Sequence, residues 1–179
     1  MSKPKVATDW MAGCAGCHMS LLDIDERILQ VLELVDLRAS PITDLKEADE
    51  TGVDVGVLEG GINNTANEHQ AKLMRSRCKY LVALGDCAVF GGVPAMRNFF
   101  TIEETLRRAY IETESTVDGF IPTDPELGVP TRVRAVQEVV PVDLHVPGCP
   151  PSADVIFHVL AELAQGRIPE LKDENLHWH

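Results

Sequence analysis

The chain has 179 residues, 45 % of them hydrophobic and 25 % charged, with a net charge of −12 at neutral pH. That length fills one good core and is too short for two ordinary domains, so residues 1–179 are expected to form a single domain. The acidic balance argues against nucleic acid, whose binding draws on clustered Lys and Arg, and no apolar run reaches the roughly 18 residues of a membrane span, so no membrane insertion is expected.

The start, Met1 to Ala7, lacks the apolar stretch of a secretion signal, which predicts a cytoplasmic protein. Lys5–Trp10 (KVATDW) reads as a first strand that runs into the loop Met11-Ala12-Gly13-Cys14-Ala15-Gly16-Cys17. From Ser20 to Val35, apolar residues recur at threes and fours (Leu21, Ile24, Ile28, Val31, Leu32, Val35), which predicts one helix with a buried face. Val53–Leu58 is a β-branched run ending in Glu59-Gly60-Gly61, a buried strand followed by a glycine turn. A helix from about Asn64 to Arg77 follows. Its end carries the basic run Arg75-Ser76-Arg77-Cys78-Lys79, read as a solvated terminus with cations at the negative pole.

Tyr80–Leu84 is a second continuous apolar run, ending in Gly85-Asp86-Cys87-Ala88-Val89-Phe90-Gly91-Gly92. Thr101 to Glu112 offers a helix opened by a capping box, Thr101 with Glu104. Residues 114–134, polar and interrupted by Gly119, Pro122, Pro125, Gly128 and Pro130, read as an excursion from the core. Val139–Val146, broken by Pro141, is the last strand candidate. It runs into Pro147-Gly148-Cys149-Pro150-Pro151-Ser152, where Ser152 caps a final helix through Ala164. Strands separated by helices, with near-continuous apolar residues, predict an α/β fold: an open parallel sheet with helices on both faces.

Five cysteines in a reducing compartment point to metal binding or redox chemistry rather than disulfides. Four of them sit in glycine- or proline-rich loops after predicted strands, and in an open parallel sheet such loops gather along one edge. The Cys14-x-x-Cys17 pair can present two thiolates to one metal or cluster, with Gly13 and Gly16 leaving room for a bulky core, and Cys87 and Cys149 would complete four ligands. A lone C-x-x-C is equally compatible with zinc or a dithiol pair. Cys78, at the end of a predicted helix, is set aside as a structural thiol.

The strings W-M-A-G-C-A-G-C, E-G-G-I-N-N, A-L-G-D-C-A-V-F-G-G and V-P-G-C-P-P-S, in that order, resemble the small subunit of nickel–iron hydrogenases from Trp10 to about Pro169. The resemblance implies a flavodoxin-like fold and a single proximal 4Fe-4S cluster held by Cys14, Cys17, Cys87 and Cys149. It further implies a large-subunit partner carrying the nickel–iron centre. No cysteine follows Cys149 and no twin-arginine signal is present. Both features resemble the short subunits of soluble, bidirectional hydrogenases, which exchange electrons with NAD through diaphorase subunits carrying FMN and further clusters. The related cluster subunit of respiratory complex I is the nearest competitor, but its pattern begins with adjacent cysteines.

Glu59, at a strand end, is expected to face the same edge as the cysteines, as a proton relay, a hydrogen-bond partner or an alternate oxygen ligand of the metal. Asp86 and Thr8 are candidates to assist. His18 is read as packed or exposed in preference to a fifth ligand, and Trp10 as core or interface. Two other classes remain open: a flavodoxin-like FMN-binding electron carrier and a zinc-stabilised interaction module.

Overall fold

Alternation along each strand divides the apolar side chains between the two faces of one sheet. The structure, a computed structural model, describes residues 3–46, 51–172 and 176, so the two ends of the expected 1–179 domain lie outside the described residues. Five strands, β1 (Lys5–Trp10), β2 (Asp36–Ala39), β3 (Val53–Glu59), β5 (Cys78–Leu84) and β7 (Leu144–Val146), pair in the order β2-β1-β3-β5-β7. Every pairing is parallel. Counting only these strands, the order is the 2-1-3-4-5 of flavodoxin-like sheets, whose ligand crevice opens where the winding reverses.

Val6, Val55, Val57, Val82 and Leu84 point to one face, where they meet α1 (Gly16–Leu22), α2 (Ile28–Leu34) and α6 (Ala153–Ala164) through residues such as Cys17, Val31 and Ile156. Ala7, Leu58, Leu81 and Ala83 point to the other, against Ala71 and Met74 of α3 (Thr65–Arg77) and Ala88 and Val89 of α4 (Asp86–Phe90). Leu58 and Leu81 are fully buried, and each such side chain contributes about 1.5–3 kcal/mol. The sheet is therefore packed on both faces, as the apolar runs predict. No helix among the described residues is long and apolar enough to cross a membrane.

Several elements depart from the sequence reading. The single helix over 20–35 is instead α1, a 3-10 turn at Asp25–Arg27 and α2; Asp25 takes φ +57°, which no α-helix accommodates. The last strand keeps only Leu144–Val146, because Val139 and Val140 donate their N–H groups to Val136 O, closing a 3-10 turn at Val136–Glu138 just before Pro141. Within 114–134, Pro130–Arg134 forms a strand the sequence reading did not foresee, β6, antiparallel to β4 (Ile62–Asn64) in a two-stranded sheet of its own, with Val133 buried. Cys78 opens β5 rather than closing α3. The Arg75 end of α3 is not simply solvated either. Arg75 donates to the carbonyls of Cys78 and Lys79 and pairs with Asp143. Helix α5 (Ile102–Tyr110) follows the expected capping box, with Glu104 N–H donating to Thr101 and Thr101 N–H to Glu104.

Candidate metal centre

The register brings four strand ends into one row. Trp10 is opposite Glu59, Glu59 opposite Leu84, and Leu84 opposite Val146. Each is the last residue of its strand, so the segments holding Cys14 and Cys17, Gly60 and Gly61, Cys87, and Cys149 all leave the sheet at the same edge. Only Cys14 and Cys149 lie in irregular loops, however. Cys17 sits in the first turn of α1 and Cys87 in the first turn of α4, which turns their backbone toward the helix starts.

Contact between the segments is close. A Cβ built on Gly85, which has φ +82°, would overlap the Cys17 sulfur and stand 3.5 Å from the Gly148 carbonyl oxygen. The three cysteine-bearing segments thus meet where only glycine fits. Gly92 packs in the same way against Cys87, its would-be Cβ 2.9 Å from the Cys87 sulfur. Gly85 N–H donates to Val146 O at 2.7 Å, extending the β5–β7 ladder into the site.

Electrostatics couple the thiols. Burial first, then negative charge at Glu59, Cys87, Cys14 and Cys149, pushes the Cys17 thiol far up from its ordinary value. Cys87 is raised by burial and by Cys149, against an opposing hydrogen bond from Val93 N–H. Raised thiols resist ionising together, so four thiolates at this edge would need a compensating positive charge, of the kind a coordinated metal supplies. Among the described residues, no three His, Cys, Asp or Glu side chains close on a point as the ligands of a single ion would.

Glu59 lies behind this edge, 2 % exposed. Its Oε1 accepts from Cys17 N–H (3.3 Å) and its Oε2 from His18 N–H (2.9 Å), so a carboxylate from β3 caps the start of α1. Oε2 also pairs with His18 Nδ1. Burial pushes the Glu59 carboxyl up, but the His18 ring and backbone outweigh it and hold the group below its ordinary value. The far side of the ring completes the network: Thr8 donates to Ser40 Oγ (2.8 Å), and His18 Nε2 shares a hydrogen bond with Thr8 Oγ1 (3.0 Å). His18 is fully buried within these bonds. Thr8 therefore faces the network rather than the thiols. Trp10, 39 % exposed, meets the His18 ring edge-on at 5.5 Å. The sequence offered no signal for the Glu59–His18–Thr8–Ser40 chain beyond the placement of Glu59 at a strand end.

Beyond Cys87 the surface turns apolar. Phe90, Val93, Met96, Phe99 and Phe100 are all exposed, Phe99 at 85 %. Five large apolar side chains exposed within eleven residues are more than the single scattered ones an ordinary surface carries.

Residues 14–163 match the family described as NADH ubiquinone oxidoreductase, 20 Kd subunit. The delta subunit of the NAD-reducing hydrogenase HoxS of Cupriavidus necator is 43 % identical over 169 residues, covering 92 % of this chain and 80 % of that one. A subunit of the F420-non-reducing hydrogenase of Methanothermobacter marburgensis is 40 % identical over 177 residues; the match covers 97 % of this chain but spans only 58 % of that relative's length. Among solved structures, a chain of an NAD+-reducing [NiFe]-hydrogenase in the H2-reduced state superposes with a TM-score of 0.93 at 38 % identity, over 99 % of this chain and 100 % of that chain.

Proposed function

Since the chain belongs to the family of the NADH ubiquinone oxidoreductase 20 kDa subunit, and resembles its nickel–iron hydrogenase members at 38–43 % identity, we propose that it is the small, electron-transfer subunit of a nickel–iron hydrogenase. Cys14, Cys17, Cys87 and Cys149 hold one 4Fe-4S cluster, which when bound supplies one-electron redox chemistry. The observation that carries this reading is the convergence of three segments bearing four cysteines on one sheet edge, with Gly85 fitted between the Cys17 sulfur and the Gly148 carbonyl. The donor set suits a polynuclear core: four cysteines are the ligand number of a 4Fe-4S cluster, and the buried Cys17 feels the charge of the other three.

The protein's own residues then have distinct tasks. Glu59 fixes the first turn of α1 and with it Cys17; acting as an alternate oxygen ligand would require it to exchange its bonds to Cys17 and His18. The apolar run after Cys87 packs on the large subunit, which carries the nickel–iron centre, and electrons continue to diaphorase subunits carrying FMN and further clusters that reduce NAD. The cytoplasm is the compartment that fits such a partner set. The complex I reading keeps the same fold and family but expects adjacent cysteines, where this chain has Cys14 and Cys17.

The test is anaerobic purification with co-eluting subunits, followed by iron, sulfide and flavin analysis of this chain and an assay of hydrogen-dependent NAD reduction. Wild type is expected to carry iron with equimolar sulfide, and Cys149→Ser and Cys87→Ser to lose both the cluster and the activity. Zinc in place of iron, or flavin on this chain without iron, would overturn the proposal.

A further inference from the structure

The segment carrying Cys149 has little means of holding itself. Pro147, Pro150 and Pro151 surround the thiol and provide no backbone N–H, so few main-chain donors remain to build a ladder or turn. Two side chains from other elements hold it instead. Asp86, next to Cys87, makes a reciprocal pair with Gly148: Asp86 N–H donates to Gly148 O at 2.9 Å, and Gly148 N–H donates to Asp86 Oδ1 at 2.7 Å. Ser20, three residues after Cys17, is buried and donates from Oγ to Pro151 O at 2.6 Å. The loop is thus tied on one side to the Cys87 segment and on the other to the Cys17 helix.

We propose that Asp86 and Ser20 are positioning residues that hold the Cys149 thiol in register with Cys87 and Cys17, so that the fourth ligand is in place before a core is bound. Each acts through the backbone of the loop, Asp86 at the residue before Cys149 and Ser20 two residues after it. The inference rests on the cluster reading above and adds to it a division of labour between ligands and the side chains that orient them, an arrangement whose disruption elsewhere weakens metal sites by about 10- to 100-fold.

The experiment compares wild type, Asp86→Asn, Asp86→Ala and Ser20→Ala in the intact anaerobic complex, reading iron release to a chelator and the electron paramagnetic resonance spectrum of the reduced protein. Asp86→Ala and Ser20→Ala are expected to release iron about 10- to 100-fold faster and to show a changed spectrum. Asp86→Asn, whose amide oxygen accepts the same bond from Gly148, is expected to stay near wild type. Release at the wild-type rate in both alanine variants overturns the inference, and so does an Asn variant as leaky as Asp86→Ala, since charge rather than the bond would then matter. Ser20→Ala removes one hydroxyl and keeps the test decisive if Asp86→Ala fails to assemble. A wild type without iron would instead overturn the cluster reading itself.

Discussion

Glu59 accepts from two backbone N–H groups and an imidazole, all inside the protein. Removing a carboxylate from such a place strands its donors, and breaking a buried pair by deleting one partner costs about 3–5 kcal/mol. Glu59→Ala is therefore expected to lower the stability of the chain by that order in urea unfolding, whereas Glu59→Gln, which keeps an acceptor oxygen, should lose much less. Equal losses in the two variants would mean that the charge, not the capping of α1, matters. The same geometry explains how one acid serves the site from behind: it orients Cys17 through the main chain while its own oxygens are occupied.

Among the elements, β7 has only three residues and lies at the edge of the sheet, so its ladder to β5 is short. Asp143 reinforces it. The Asp143 N–H donates to Leu81 O at 2.9 Å, and its carboxylate accepts from Leu81 N–H at 2.7 Å and from Arg75 at 2.5 Å. Burial raises the Asp143 carboxyl, but these two donors prevail and hold it below its ordinary value of 3.8. A carboxyl depressed in the folded state contributes fully above its unfolded value and loses that contribution as pH falls through the folded one. Wild type should thus exceed Asp143→Asn in urea midpoint at pH 7, with the gap closing as the pH drops below about 4; a gap that persists at low pH would refute this. Because Cys149 follows β7, the tie also steadies the route into the site.

At the scale of the whole molecule, a chain of net charge −12 places exposed phenylalanines and a methionine beside the Cys87 segment. Water solvates such a run poorly, and the large subunit proposed above would cover it. Phe99, at 85 % exposure, adds little to the folding of this chain alone. Phe99→Asp is expected to weaken association with the large subunit by at least about tenfold while leaving the thermal midpoint of the isolated chain unchanged. Unchanged association would remove this face from the interface.

What the sequence determined by itself was local. The apolar runs at 53–58 and 80–84 specified buried strands because hydrophobic periodicity is a near-neighbour property, and the Thr101–Glu104 capping box marked the start of α5 for the same reason. The cysteine motifs marked the edge at which chemistry was to be expected. Short elements such as β2 and the β4–β6 pair escaped notice because their stability comes from partners rather than from their own pattern. Tertiary structure alone aligned Trp10, Glu59, Leu84 and Val146 in one row, joined Glu59 to His18 across 41 positions and tied Ser20 to Pro151 across 131. Contacts at such separations leave no periodic trace, since they depend on how strands are ordered and not on how each one is made.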